Sequence, residues 1–482
     1  MTPSRSVAPA AALAGLAGLL LSACAVGPNY HAPPTPSGAQ APLVSLNPAA
    51  ETPALPPDDW WRLYNDPLLD RYVGEAFAAN ADLATAEANL SIARAALEAT
   101  RSGLYPSTTS AAGAVYGRDA FTDEILEIGG HKPETIWKFD AVLDASYELD
   151  LFGRVRRSIE ASRADAQSVA AARDGLKVTV AAETARAYAQ VCTLGEQVAV
   201  ARRSLDVVSR ELQITINRRE AGAGTEFEVV RAQGLVAQVR STIPPLEGQR
   251  RSALFQLAAL LGRTPVNAPT EAEACVTPPR LTTLIPVGDG AALLKRRPDV
   301  RQADRRVAAA TARIGVATAD LYPRIQLTAL YGGAAPDLSE LFSSKGLTWG
   351  VGPSVSWAFP NQSLPRARVR QAKAGEQAAL ASFDSVVLQA LKETEQALTA
   401  YSAELDRREA LAEAQDRARR GYELAHGQYL AGSTSQLDLL TAEQNLVSAD
   451  SAVAASDSAL TTDQITLFKA LGGGWGAPAA KR

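Results

Sequence analysis

The chain has 482 residues, of which 46% are apolar and 21% charged, and its formal net charge at pH 7 is −4. This length suits several average domains or one long elongated domain. Positive and negative charges alternate along the chain instead of forming blocks, so the composition excludes the basic surface of a nucleic-acid-binding protein.

The first residues have the pattern of a secretory signal peptide. Arg5 precedes an apolar stretch from Ala8 to Leu21. This stretch is too short, and its side chains are too small, for a membrane-spanning helix. The stretch runs into Leu-Ser-Ala before Cys24, and small residues directly before a cysteine resemble a bacterial lipobox. We therefore predict that residues 1–23 are removed and that Cys24 carries a covalent lipid; an ordinary signal peptide with a chance cysteine is the alternative. Because Ala25 is not acidic, the resemblance implies the outer membrane as the destination.

A lipid-anchored linker is predicted over residues 24–59, where Pro, Ala and Ser are frequent and no periodicity is present. It is expected to run extended over a surface. Two more cysteines, Cys192 and Cys275, lie further along. Cys192 falls inside a helical pattern, so buried free thiols are expected, with a disulfide in an oxidising periplasm as the alternative.

From residue 60 onward the chain contains two copies of one unit, ordered helix, strand, strand, long helix, shorter helix. Leu-Tyr-Pro opens a strand at Pro106 and again at Pro323, 217 residues later, and the turn glycines Gly222 and Gly432 are 210 residues apart. The copies are predicted over 60–270 and 271–475, followed by a tail over 476–482. In the first copy the predicted elements are a helix over 67–103, strands over about 104–117 and 135–152, a long helix over 153–220 and a shorter helix over 225–262. In the second copy they are a helix from 298, strands over about 321–333 and 346–360, a long helix over 366–429 and a shorter helix over 433–471.

The strands carry a membrane signal. Apolar side chains alternate with polar ones from Thr135 to Leu151, and the second copy repeats the alternation over 347–359 with Trp349 and Trp357 on its apolar face. This pattern is typical of a barrel strand with lipid outside and water inside; a soluble sandwich with one wet face is the alternative. Four strands cannot close a membrane barrel, so the chain is predicted to oligomerise around a shared one.

The helices account for the remaining length. Neither long helix contains proline, and each keeps an Ala, Val and Leu periodicity that predicts a rod of roughly 100 Å. Frequent alanine allows neighbouring helices to approach closely, which favours a bundle or coiled-coil wall. Pro244 and Pro245 are predicted to break the first shorter helix, and the two glycine turns to reverse the chain at one common tip.

Taken in order, these segments resemble the TolC and OprM-like outer-membrane efflux proteins, specifically their NodT-type lipoprotein branch. The resemblance covers essentially the whole mature chain. Each motif is short, but the occurrence of several of them in this order is highly specific. Those motifs are Asp59-Trp60-Trp61, Asp66-Pro67-Leu68-Leu69, Ser146-Tyr147-Glu148-Leu149-Asp150-Leu151-Phe152-Gly153-Arg154, Arg297-Pro298-Asp299-Val300, Asp320-Leu321-Tyr322-Pro323 and the final Leu467 to Trp475.

The resemblance implies a mainly α-helical protein with a transmembrane β-barrel. Three chains would share a twelve-stranded barrel in the outer membrane, continued by a long α-helical barrel in the periplasm. It also implies a passive duct that exports drugs or other small molecules. The partners would be a periplasmic adaptor (membrane fusion protein) and an inner-membrane pump, commonly of the resistance-nodulation-division class.

The family's periplasmic constriction maps onto the start of the last helix. Relatives tend to read Leu-Leu-Asp-Ala-Gln there, whereas this chain reads Leu-Leu-Thr-Ala-Glu over 439–443. Thr441 takes the usual acidic position, which leaves Asp438 or Glu443 to supply the charge. We predict that Leu437, Asp438 and Thr441 line the constriction; ordinary coiled-coil positions are the alternative.

In the first copy, the equivalent positions are occupied by Glu228 and Arg231. These residues are predicted to form inter-helix ion pairs that hold the tip closed.

No catalytic or metal site is predicted. His31, His131 and His426 lie too far apart in this layout to form a cluster, and no nucleotide-binding glycine motif or Gly-x-Ser-x-Gly segment is present. We therefore expect a non-enzymatic protein with no cofactor beyond the lipid on Cys24. A trimeric surface adhesin or structural stalk and a lipid-tethered periplasmic enzyme are the alternatives. An adhesin would carry its strands together at one terminus, whereas here they form two separate pairs.

Overall fold

The computed structural model describes residues 25–118, 128–130, 135–281 and 283–473. The predicted signal peptide, lipid anchor Cys24 and C-terminal tail lie outside these residues, as does His131. Among the helices that the structure describes, none combines the length and apolar character of a membrane-spanning helix.

The predicted element order is confirmed in both copies. The first copy contains α1 (Pro67–Ala79), α2 (Ala81–Arg101), β2 (Ser107–Gly117), β3 (Ile136–Leu149), α3 (Arg154–Glu220) and α4 (Glu226–Leu260). The second contains α7 (Pro298–Ala319), β5 (Arg324–Ala335), β6 (Leu347–Ser356), α8 (Ser363–Leu430) and α9 (Gln436–Ala470). Around them lie β1 (Glu51–Thr52), α5 (Thr270–Glu273), β4 (Ile285–Pro286), α6 (Gly290–Arg296) and short 3-10 helices, among them Trp60–Tyr64.

The long helices have 67 and 68 residues, close to their predicted bounds. Two expectations about helix breaks were wrong. The first predicted helix is divided at Asn80, whose extended backbone ends α1 and whose side-chain oxygen accepts hydrogen bonds from the N–H groups of Asp82 and Leu83. Conversely, Pro244 and Pro245 lie inside an unbroken α4. Buried apolar residues on both sides of these prolines hold the helix, which offsets a local cost of about 3 kcal/mol per proline.

The structure separates into two compact units, each of which takes segments from both copies. Within the described ranges, the first unit comprises residues 25–33, 90–169 and 303–383. It contains a four-stranded antiparallel sheet in the order β2-β3-β5-β6. Strands β2 and β6 are its edges.

The register of this sheet brings the predicted apolar positions onto one face. Leu143 of β3 pairs with Tyr331 of β5, which in turn pairs with Trp349 of β6. All three side chains are exposed, Trp349 to 70%. The neighbouring Asp144 therefore points to the opposite face, because successive residues of a strand alternate. This face is apolar across β3, β5 and β6, whereas β2 adds Ser110, opposite Leu143, and Thr108, opposite Ala145.

The first part of the predicted linker is ordered against this unit instead of running freely. The N–H of Val26 donates to the carbonyl of Phe152. The guanidinium of Arg157 in α3 donates to the side-chain oxygen of Asn29 at 2.7 Å. The residues after the predicted anchor are thus hydrogen-bonded to the start of the long helix.

The second unit comprises, of the residues that the structure describes, those within 34–89, 170–302 and 384–473. Its core is built around Trp60, which is fully buried and stacks on Phe468 with 4.7 Å between ring centroids. The later part of the predicted linker also belongs to this unit: Leu43 is buried in the core, and β1 pairs in parallel with β4. The expectation of a linker that only follows the surface was therefore wrong for this stretch.

Cys192 and Cys275 form a disulfide, so the expectation of free thiols was wrong. Cys192 lies in α3, and the segment between the two copies passes directly over it. A Cβ atom at Gly195 would lie 2.4 Å from the carbonyl oxygen of Cys275, so only glycine permits this approach. Arg250 of α4 also donates to that carbonyl, at 2.8 Å.

Breaking the disulfide should destabilise the second unit. The bond closes a loop across 83 positions of sequence, so Cys275→Ser should lower the free energy of unfolding by about 2–4 kcal/mol. Thermal unfolding of the detergent-solubilised protein would measure this, with the neighbouring half-exposed Val276→Ser as the matched control. Alkylation of two thiols in unreduced wild-type protein would contradict the assignment.

Candidate channel constriction

Both long helices end in the same local structure. A glycine with positive φ reverses the chain after each of them, Gly222 at +76° and Gly432 at +71°, a conformation that favours glycine. The next helix then begins with a capping box in both copies. Thr225 and Glu228 form the first, and Ser435 and Asp438 form the second.

Asp438 is held as an exposed carboxylate at the start of α9. One of its oxygens accepts hydrogen bonds from the hydroxyls of Ser435, at 2.6 Å, and Thr434, at 3.1 Å. These side-chain bonds, with a backbone bond from Ser435, lower the pKa of Asp438 below its usual value. The residue therefore carries a negative charge at neutral pH.

Leu437 and Thr441 lie on the exposed side of the same helix turn. Leu437 is 52% exposed, and Thr441 donates its hydroxyl proton to the Leu437 carbonyl at 2.7 Å. The adjacent Leu439 and Leu440 are buried. The three residues of the predicted constriction thus share an exposed stretch of α9, the arrangement that a pore-lining role requires; that role stays a prediction.

Glu443 lies elsewhere. It is 1% exposed, and Glu211 of α3 is the neighbouring carboxyl that acts on it. A side chain buried between helices does not present its charge at the surface of α9. The alternative in which Glu443 supplies the acidic ring is therefore disfavoured, and Asp438 is the better candidate.

The predicted ion pair of Glu228 and Arg231 involves two residues that have other contacts within the chain. Glu228 accepts a hydrogen bond from the Thr225 N–H at 2.8 Å and so completes the capping box. The guanidinium carbon of Arg231 lies 5.6 Å from the centre of the Phe227 ring. An inter-helix pair involving these residues stays a prediction.

Sequence reasoning missed a contact that joins the two long helices next to their reversal turns. The Arg218 guanidinium of α3 lies over the ring of Tyr429 in α8, with its carbon 4.4 Å from the ring centre. Tyr429 is buried. Such cation–π contacts stabilise by about 0.5–2 kcal/mol. The signal for this contact in the sequence is weak, since it consists of one aromatic residue three positions before Gly432.

The described part of the chain contains no group of three His, Cys, Asp or Glu side chains arranged to hold a metal ion. His426 instead contacts Glu211, with 3.0 Å between Nε2 and Oε1. The arrangement at this end of the helices comprises capping boxes, a charged exposed face and buried side-chain clusters.

Comparison with known proteins identifies the family. The family model described as "Outer membrane efflux protein" matches residues 72–263 and 291–473. The chain belongs to this family. Its two matched segments coincide with the two copies of the repeated unit, which supports the duplication. As a member of the family, the chain is an outer-membrane efflux channel, and the adhesin alternative is not supported.

Individual relatives agree with this assignment. The chain is 31% identical over 471 residues to the pyoverdine export outer membrane protein OpmQ of Pseudomonas putida, covering 93% of this chain and 95% of that protein. It is 29% identical to nodulation protein T of Rhizobium leguminosarum bv. viciae, covering 95% and 92%. Among solved structures, the outer-membrane channel OprN is 34% identical with a TM-score of 0.83, covering 94% of this chain and all of that one.

Proposed function

We propose that this efflux channel is a passive trimeric duct that carries drugs or other small molecules from the periplasm to the exterior. It makes and breaks no covalent bonds; the relatives to which it is similar are channel proteins, in agreement with a non-enzymatic role. A lipid on Cys24 would anchor each chain in the outer membrane.

The sheet of the first unit carries this proposal. Its apolar face suits lipid, yet β2 and β6 each have only one strand neighbour in the described chain. Unpaired backbone N–H and C=O groups are strongly unfavourable in hydrocarbon, so open sheet edges are not tolerated there. Pairing β6 of one chain with β2 of the next removes both edges, and three chains provide the twelve strands of the barrel that the family resemblance implies.

The proposed partners are a periplasmic adaptor and an inner-membrane pump, the latter of the resistance-nodulation-division class. Relatives named for efflux or export include the antibiotic efflux pump outer membrane protein ArpC of Pseudomonas putida and OpmQ. In this chain, Phe227 and Val230 are exposed on the first turns of α4, beside the reversal turn. Exposed apolar side chains at this end would suit an adaptor contact.

Conductance of the purified protein in planar bilayers tests both the duct and its constriction. Purified wild-type protein should have the mass of a trimer. After insertion into the bilayer it should show a small resting conductance, because Leu437, Asp438 and Thr441 are proposed to narrow the pore. Leu437→Ala combined with Asp438→Asn removes an apolar side chain and the charge while keeping an acceptor for the cap. This pair should raise the resting conductance several-fold.

The control is Val266→Ala, which truncates an exposed apolar side chain between α4 and α5. It should leave the conductance at the wild-type level. An unchanged resting conductance in the Leu437 and Asp438 variant would refute the constriction assignment, and a monomeric, non-conducting protein would refute the duct itself.

A further inference from the structure

A buried acidic cluster lies between α3, α8 and α9. Glu443 of α9 is 1% exposed, and neither of its carboxylate oxygens has a hydrogen-bond partner among the described residues. Glu211 of α3 is also buried; its Oε1 lies 3.0 Å from Nε2 of His426 and accepts a hydrogen bond from the Tyr422 hydroxyl at 3.4 Å. Its other oxygen, Oε2, is buried and has no partner in the same part of the chain. Two buried carboxyl groups therefore lie beside a partly exposed imidazole, in surroundings that provide few hydrogen bonds.

The side chains packed around this cluster offer little compensation for its charge. Helix α4 contributes apolar residues, and Leu235 packs in one cluster with Leu440 of α9. On α3, Arg210 acts on Tyr422, but it is exposed and forms an ion pair with Asp206. Such solvated pairs contribute little. An ionised Glu443 thus lacks a buried cation beside it, and His426 contacts Glu211 instead.

We propose that Glu443, Glu211 and His426 form a proton-dependent latch that sets how tightly α9 packs against α3 and α8, and thereby tunes the opening of the tip. This inference rests on the channel function proposed above. Glu443 acts here as a positioning residue, because it contacts neighbouring helices and not the transported molecule.

Protonation determines the state of the latch. Burial, and after it the negative charge of Glu211, raise the pKa of Glu443 to about 8. Burial also raises the pKa of Glu211, while His426 and Tyr422 act in the opposite direction. At neutral pH the packed arrangement therefore holds a proton on Glu443.

The sign of the pH dependence follows from this difference. Separation of α9 exposes Glu443 to water, where its pKa falls to the ordinary carboxyl range near about 4.3. Between that range and about 8, opening releases one proton, so each pH unit favours opening by up to about tenfold. Below this window both states are protonated, and above it both are ionised. The latch holds at low pH and is released as the pH rises through the window.

Single-channel recordings of the full-length protein in planar bilayers, from about pH 5 to about pH 9, test the latch. The wild-type open probability should rise by at least about tenfold across this range. Glu443→Gln is neutral at every pH and close in shape to the protonated carboxyl, so it should remain at the low-pH level and lose the dependence. Glu423→Gln changes an exposed carboxyl on α8 and should retain the full wild-type dependence.

Infrared spectroscopy gives a readout that does not require a channel. At about pH 6, wild-type protein should show a protonated-carboxyl band that is missing from Glu443→Gln and that titrates near pH 8. Equal pH dependence in wild-type and Glu443→Gln recordings, or the lack of this band in the wild type, would overturn the latch. A protein that conducts at no pH but shows the band would refute the proposed duct, and with it the control of opening, while retaining the buried protonated Glu443.

Discussion

Leu143→Arg should prevent the chain from accumulating in the outer membrane. Leu143 lies near the middle of β3, on the apolar face that also carries Tyr331. An arginine near the bilayer midplane on the lipid side of a barrel costs about 2–4 kcal/mol. In a trimer this cost applies three times. The amount of protein in the outer-membrane fraction, measured on density gradients and by heat-modifiable mobility in gels, should fall at least tenfold.

The matched control places the same charge on the other face. Thr328 of β5 pairs with Ser146 and Gly352, which the register puts on the face opposite Leu143. Thr328→Arg introduces the same side chain into the same sheet but points it to the wet side, so assembly should continue. If both variants assembled equally well, the apolar face would not be the one that contacts lipid, and the proposed barrel would be wrong.

The sheet was predictable because strand faces follow a local rule. A side-chain period of two places Trp137, Leu143 and Leu149 on one face whatever the rest of the chain does, and the register then aligns this face with its neighbours. The capping boxes are local in the same sense, since Ser435 and Asp438 are only three residues apart. Such features need no knowledge of tertiary contacts.

The misjudged features depend on contacts between distant segments. Pro244 does not break α4 because residues packed on both sides hold the helix. Cys192 is bonded because the segment after α4 crosses the long helix at Gly195. The burial of Glu443, which the sequence left open as a source of the acidic ring, likewise depends on distant helices, since Glu211 of α3 is its neighbour. In each case the deciding partner lies tens to hundreds of residues away, where periodicity and spacing give no information.

Arg297 presents the other large expected effect, because one buried guanidinium joins three parts of the second unit. It donates to both carboxylate oxygens of Asp299, to Glu393 of α8 at 2.8 Å and to the carbonyl of Ala470, the last residue of α9, at 2.8 Å. A Cβ atom on Gly472 would lie 3.0 Å from the Arg297 side chain, which shows how closely the chain end packs against it.

Arg297→Ala should therefore loosen the end of α9. Removing one partner of a buried ion pair costs about 3–5 kcal/mol, but Asp299 and Glu393 are about 40% exposed and can regain water. We expect a loss of about 2–3 kcal/mol, seen as a lower urea midpoint and faster proteolysis near the C-terminus. Arg297→Lys keeps the charge but not the forked geometry, so it should recover only part of the loss. Arg306→Ala, an exposed position on α7, is the control, and equal midpoints for Arg297→Ala and Arg306→Ala would show that the buried guanidinium does not hold these helices together.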